Sequence, residues 1–392
     1  MKRALLLLIP LWLLMCILTF SCAGPNQPDD NIYVTNVMVT KWYNIHEGAI
    51  SITHDYGPVN SDHSQAVLFE VLDRGLTIDY EFLSAPKHIW DSKATFINEF
   101  CIPNNVQFFG HGHEHIDHDS LSYDEVVTSF SLCKGVMESL GLKVVAAAYP
   151  FGRGHEEETR LGLAAAGFLS GRRHHPGDRT DPYILADDES VPEDWFALPT
   201  LVMQDINFNN LETAVNDTEE LIPFLDETLA KNAWLITTYH AIGHTDSTYG
   251  FYTMDNFISD LEEIKARDFW AASINDVTLY IYERDLAVIS DSILTGPNGV
   301  EEIQILVEDD LEDALFSQPL TIELDVPEEW AGANIEIISD TTETRQVHPN
   351  DTKLYFNTIP NGEITRLVKV DVEGSFSSPF SFNHHLQKYI SF

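Results

Sequence analysis

The order in which apolar patterns recur constrains the fold of this chain more than any other feature. Short apolar runs alternate with amphipathic stretches, and a loop rich in His, Asp or Tyr follows several of the runs. Residues 48–53 alternate and end in Asp55-Tyr56-Gly57-Pro58, a pattern that predicts a buried strand delivering Asp55 at its C-terminal end. Residues 64–74 carry Ala66, Val67, Phe69, Val71 and Leu72 and predict a short helix closed by Gly75. Residues 106–109 form another short strand, which runs into a His-rich loop.

The next helix has a clear start. Ser122 can cap, Glu125 follows three residues later and Leu121 can staple onto Val126. It runs through Phe130, Cys133 and Met137 to Gly141. Residues 143–148 predict a strand ending in Tyr149-Pro150-Phe151-Gly152, and 156–166 a helix stopped by Gly167. Residues 233–239 predict a strand ending at His240. Phe257, Leu261 and Ile264 share one face of a helix over 254–267, and a strand at 269–273 and a helix at 276–284 follow. Strand, loop and helix in repetition imply parallel strands with crossover helices. Each candidate catalytic residue falls just after a strand, which in a (β/α) barrel is the face where active sites are built.

From about residue 289 the pattern changes. Residues 303–307, 320–324, 334–338, 353–356 and 367–370 are short strands separated by turn residues, with no helical pattern between them. They predict a C-terminal antiparallel β-sandwich. Trp330 is a candidate aromatic platform there, against a purely structural role for the sandwich.

The run Phe109-Gly110-His111-Gly112-His113-Glu114-His115-Ile116-Asp117-His118 carries the chemistry. His111 and His115 are four apart, so one helical turn would put both rings on one face. Two neutral imidazoles so placed can grip a divalent cation. Asp55 is the acidic residue that stands out upstream as a further ligand. No Gly-rich phosphate loop and no Gly-x-Ser-x-Gly elbow is present, so a serine esterase lacks support.

The 392 residues are enough for two domains, and 22 Lys+Arg against 62 Asp+Glu give a formal charge of −40. Such a surface repels phosphate backbones and argues against nucleic-acid binding. Met1-Lys2-Arg3 followed by an apolar stretch to Phe20 reads as a secretory signal over residues 1–21. Its end resembles a bacterial lipoprotein signal, which would make Cys22 the lipidated residue and the lipid the only membrane contact. A polar tether over 22–40 follows. Of the four cysteines, Cys101 and Cys133 could pair in an exported protein or remain buried thiols.

Over residues 41–284 the chain resembles the polysaccharide deacetylases, the NodB-like carbohydrate esterases. Thr53-His54-Asp55-Tyr56-Gly57 lies where that family has Thr-Phe-Asp-Asp-Gly, and His111 to His115 where it has His-x-x-x-His. Tyr149-Pro150-Phe151-Gly152 resembles its Arg-x-Pro-Tyr-Gly, with Ala148 at the Arg position. Asp194-Trp195 resembles its Asp-Trp pair, and Tyr239-His240 its final strand. The resemblance implies a distorted (β/α) barrel of the NodB type over 41–288; the sandwich read from the strand pattern follows over 289–392. It implies hydrolysis of acetyl groups from a carbohydrate with one divalent metal, Zn before Co, Ni or Mn, held by Asp55, His111 and His115. Asp55 would act as base and His240 as acid. A backbone N–H near Tyr149 would stabilise the oxyanion, Tyr149 and Pro150 would line the substrate site, and Trp195 would wall the acetyl methyl.

One departure stands out: Tyr56 occupies the place of the family's metal-binding Asp. Three arrangements accommodate it. Asp55 binds the metal and His54 or another residue is the base; His113, Glu114 or His118 supplies the third ligand; or the site is lost and the protein is an inactive glycan-binding lipoprotein. A retained site with Asp55 in or beside the ligand set is the expectation. A different hydrolase on the same barrel is the remaining rival.

Overall fold

The computed structural model describes residues 36–55, 62–175, 177–205, 214–243, 250–297, 299–339, 341–347 and 352–370. The signal segment, Cys22 and Tyr56 lie outside them. Among the described residues no helix is long and apolar enough to cross a membrane.

The strands are β1 (Val37–Val39), β2 (Gly48–His54), β3 (Asp79–Phe82), β4 (Gln107–Gly110), β5 (Ala146–Ala148), β6 (Ser170–Arg172), β7 (Leu201–Met203), β8 (Trp234–Tyr239), β9 (Ala241–Ile242), β10 (Phe251–Tyr252) and β11 (Phe269–Ala271), then β12 (Val288–Gly296), β13 (Gly299–Glu308), β14 (Leu320–Asp325), β15 (Asn334–Ile338), β16 (Thr342–Gln346), β17 (Lys353–Thr358) and β18 (Asn361–Val370). A parallel sheet runs β6-β5-β4-β3-β2-β8-β7. The residues leading into β7 close it against β6: Leu198 donates to Gly171 O at 2.9 Å and Arg173 to Leu198 O at 3.0 Å. The result is a barrel. It is distorted at β2, which pairs with β11 along Gly48–Ile50 and with β3 only at Thr53 and His54.

The expected helices are present, among them Asp62–Asp73, Tyr123–Ser139, Glu157–Ala165, Met254–Lys265 and Ile274–Leu286. The Ser122 start is a capping box, with Ser122 N–H and Oγ both donating to Glu125 Oε2 at 2.9 and 2.7 Å. The strands β3, β6 and β7 and the helix Thr218–Ala230 were not anticipated from the sequence.

Alternation along the strands sorts the side chains. Ile50, Ile52, Tyr80, Phe82, Phe108 and Tyr239 face the helices and form the larger core. The opposite parity faces inward and is polar: Thr53 and Thr200 both bond to Thr238 Oγ1, at 3.1 and 2.7 Å. Asn275 plugs the lower end, accepting from Val145 N and Ala146 N and donating to Phe108 O. The inward-facing residues of the next layer up form the candidate site.

The C-terminal strands form two antiparallel sheets, β12-β13-β18-β15-β16 and β1-β14-β17. The second takes a strand from before the barrel: Val37 pairs with Leu324 and Val39 with Ile322. The sandwich is therefore not confined to residues 289–392, and the tether expected over 22–40 gives way to a strand at Val37. Alternating Val37 and Val39 can cover an apolar face, which a polar tether could not. Trp330 is buried and donates its indole N–H to Val300 O at 3.2 Å, so it is core and not a platform. Cys101 and Cys133 are buried free thiols, and burial pushes each up to about 12.

Candidate active site

Five strand ends deliver polar side chains to the mouth of the barrel. Asp55 follows β2, Glu81 lies in β3, His111 follows β4, Arg172 ends β6 and His240 follows β8. Their parity matches Thr53, Thr200 and Thr238, so all five belong to the inner face. His54 has the opposite parity. Its ring lies edge-on to Tyr80, 5.3 Å away, in the helix-facing layer, which removes it as an alternative base.

The strongest contact in the mouth joins Asp55 to Arg172. Arg172 Nη2 stands 2.6 and 2.7 Å from the two Asp55 carboxylate oxygens, and Nη1 donates to Thr238 Oγ1 at 2.8 Å. The guanidinium also lies over the Phe109 ring at 5.2 Å. Burial raises the Asp55 carboxyl, but Arg172, with His111 and His240, outweighs burial and holds it below the usual carboxylate range. Asp55 is thus an ionised carboxylate paired with Arg172 in the mouth of the barrel.

His111 is buried, and burial lowers its pKa to about 3 against the opposing pull of Asp55. Its Nδ1 lies 3.0 Å from Ala148 O. A carbonyl only accepts, so Nδ1 carries the proton and Nε2 presents its lone pair inward. His115 stands beside it, ring centres 5.2 Å apart. The helical turn expected to hold this pair is absent: the segment after β4 is loop and bend. Gly112 causes this, with φ +88°, and a Cβ there would stand 2.8 Å from the His118 ring. The loop still brings the two imidazoles together.

The other cluster residues turn away. His118 is fully buried, stacks on Phe130 at 4.6 Å and bonds to Ser129 Oγ at 2.9 Å. His113 Nδ1 lies 2.8 Å from Ser84 Oγ. Glu114 is exposed and lines a shallow groove of about 330 Å³ with Leu121 and Leu132. None of the three completes the ligand set. Glu81, absent from the sequence-derived candidates, does face it: Oε2 is 3.6 Å from His111 Nε2. Among the described residues no three His, Cys, Asp or Glu side chains form a finished metal cage as they stand.

His240 follows β8 directly beside Asp55, whose N–H donates to Tyr239 O at 2.8 Å. Gly250 backs it, and a Cβ there would stand 3.3 Å from the His240 Cβ. His240 Nδ1 is buried with no partner among the described residues. Burial lowers its pKa, with Asp55 opposing.

Tyr149 is buried, its hydroxyl donating to Phe196 O at 3.0 Å and its N–H to Arg172 O at 3.1 Å. Neither group is available to a substrate. The N–H groups of Gly152 and Arg153 go to Tyr149 O and Pro150 O, and the buried Pro150 has none to give. The Phe151 amide lies in the same turn. Phe151 holds φ +59°, a strained position for a side chain, and its ring is 62% exposed and 4.3 Å from His115. Trp195 does not wall this mouth: it stacks on Tyr282 at 4.3 Å, in the core shared with the C-terminal sheets. The structure gives Phe151 the exposure expected of Trp195.

No family model and no characterised protein matches the sequence. Solved structures do resemble the fold. The Xyl-CE4 domain of a multidomain xylanase from the hindgut metagenome of Trinervitermes trinervoides is 11% identical with TM-score 0.37, over 59% of this chain and 89% of that one. A family 4 carbohydrate esterase from Streptomyces lividans is 13% identical with TM-score 0.36, over 56% and 88%. The peptidoglycan deacetylase PdaC from Bacillus subtilis is 10% identical with TM-score 0.36, over 61% and 93%.

Proposed function

We propose that this chain is a metal-dependent hydrolase that removes acetyl groups from a carbohydrate. One observation carries the reading: a single barrel mouth gathers an ion-paired carboxylate, a neutral inward-facing imidazole, a second imidazole beside it and a third next to the carboxylate. That set matches what ester or amide hydrolysis requires. His111 and His115 hold a divalent cation, Zn before Co, Ni or Mn on donor type; when bound, it supplies Lewis acidity to the acetyl carbonyl and to a water. Asp55, kept ionised by Arg172, takes a proton from the attacking water. The Phe151 amide donates to the developing oxyanion. His240 passes a proton to the leaving sugar oxygen or nitrogen, and the Phe151 ring walls the acetyl methyl.

The test is acetate release by the metal-replete protein from O-acetylated and N-acetylated glycans. Release by the parent and its loss in a His111→Ala/His115→Ala double variant is the expected result. Saturable glycan binding without release from any glycan would replace this reading with the inactive glycan-binding lipoprotein, which Tyr56 favours. Turnover of small acyl compounds alone would point to a different hydrolase on this barrel. The proposal places the protein outside the cytoplasm on a lipid at Cys22. Cys22→Ser should then release it from the membrane fraction, and an unchanged distribution would remove the anchor.

A further inference from the structure

We propose that Glu81 is the carboxylate ligand of the metal centre, completing a set with His111 and His115 and standing in for the acidic residue that Tyr56 replaces. The inference rests on the metal-dependent reading above and adds to it the residue that makes the centre whole.

The argument starts from two electron-pair donors that face one another. His111 Nδ1 is committed as a donor to Ala148 O at 3.0 Å, so in the neutral ring Nε2 is an acceptor. A Glu carboxylate is also an acceptor. Yet Glu81 Oε2 is aimed at Nε2 across 3.6 Å, with the two side chains only 12% and 3% exposed. That separation is too long for a hydrogen bond. It is close to what one cation imposes: two ligand atoms each about 2.1 Å from a tetrahedral ion stand about 3.4 Å apart. The neighbouring ring agrees. Two imidazoles bound through one nitrogen each to such an ion have centres about 5 Å apart, and those of His111 and His115 are 5.2 Å apart. His115 lies on an exposed loop, with its ring against Phe151 at 4.3 Å.

Topology supplies the reason that Glu81 can do this. Thr53 pairs with Asp79 and His54 with Tyr80. Carried one residue further, that register sets Glu81 level with Asp55, on the same inner face. A carboxylate missing after the end of β2 is thus replaced from β3, the adjacent strand. Asp55, paired with Arg172, is left to the proton-transfer role.

The experiment uses the full mature chain, stripped with chelator and titrated with Zn(II), and separately with Co(II) followed by its visible absorption. The parent should bind about one ion per chain and gain thermal stability on binding. Glu81→Gln keeps the shape of the side chain and should bind roughly 100-fold or more weaker, with the stability gain lost. Glu81→Asp should retain part of both. Asp55→Asn should bind the metal like the parent while losing acetate release. Parent-like affinity in Glu81→Gln would overturn the assignment, as would a parent that takes up no metal or an Asp55→Asn variant that loses its metal. Metal binding that depends on Glu81 without acetate release from any glycan would sustain the assignment and sink the deacetylase reading, so the two fail separately.

Discussion

Arg172 is the direct register partner of Ala148 in the parallel pair β5-β6, and its Nη2 reaches both carboxylate oxygens of Asp55 at 2.6 and 2.7 Å. Arg172 therefore supplies a cation to the inner face one strand over from Ala148 and at its level.

Replacing Arg172 with Met should leave Asp55 buried and uncompensated. Removing one member of a buried ion pair costs about 3–5 kcal/mol, measurable by urea unfolding at pH 7. The pair depresses the folded Asp55 pKa. Its contribution is therefore fully present above the unfolded value of about 3.9 and is lost only as pH falls through the lower folded value. Without Arg172, burial is no longer outweighed by the guanidinium and raises the Asp55 carboxyl of the variant, so the deficit should shrink as pH falls from 8 to 5 and the stranded carboxyl takes up a proton. A deficit below about 1 kcal/mol would show that the pair is not closed in solution.

His240→Gln should lower kcat by roughly 10²- to 10⁴-fold with little change in KM, the pattern of a group that acts in the transition state. Steady-state acetate release over a substrate series decides it. A rise in KM at constant kcat would make His240 a binding residue.

Acid should loosen the core behind the His-rich loop. Burial lowers His118 to about 4, against about 6.5 when unfolded. The folded state then binds fewer protons, so this residue's contribution is full above pH 6.5 and declines as pH falls toward 4. Melting temperatures of metal-free protein between pH 7 and 4 should fall less in His118→Gln, which keeps a polar group near Ser129. Parallel curves for variant and parent would count against it.

Truncation after Ser290 should give insoluble protein. The helix Ile274–Leu286 and the barrel residues Trp42 and Trp270 share a core with Ile322, Leu324 and Phe356. Buried Glu283 also accepts the Gln318 N–H at 3.0 Å. A monomeric, cooperatively melting truncation product would show that the barrel is self-sufficient.

The sequence revealed the site where chemistry follows an apolar run. Asp55, His111 and His240 each end such a run, so alternation and composition were enough to place them. Glu81 escaped because Ile78, Tyr80 and Phe82 alternate with Asp79 and Glu81, and alternating charge reads as a solvent-facing edge. Here the charged parity faces a polar barrel interior, which local pattern cannot reveal. Arg172 escaped because Ser170-Gly171-Arg172 has no apolar run at all. The Asp55–Arg172 contact joins strands far apart in the chain, and only closure of the barrel brings them together. Trp195 was expected to wall the acetyl methyl, but its ring stacks on Tyr282, a partner that spacing does not identify.

The pairing of β1 with β14 sets an order of events for the newly made chain. Val37 to Val39 precede the barrel and their partner β14 follows it, so their hydrogen-bonding edge has to wait until the barrel strands have emerged. Closing that pair is a late, long-range step of the slow kind. Until it closes, an apolar strand is left uncovered beside a half-built sandwich. Chains interrupted after the barrel would carry that edge without its partner.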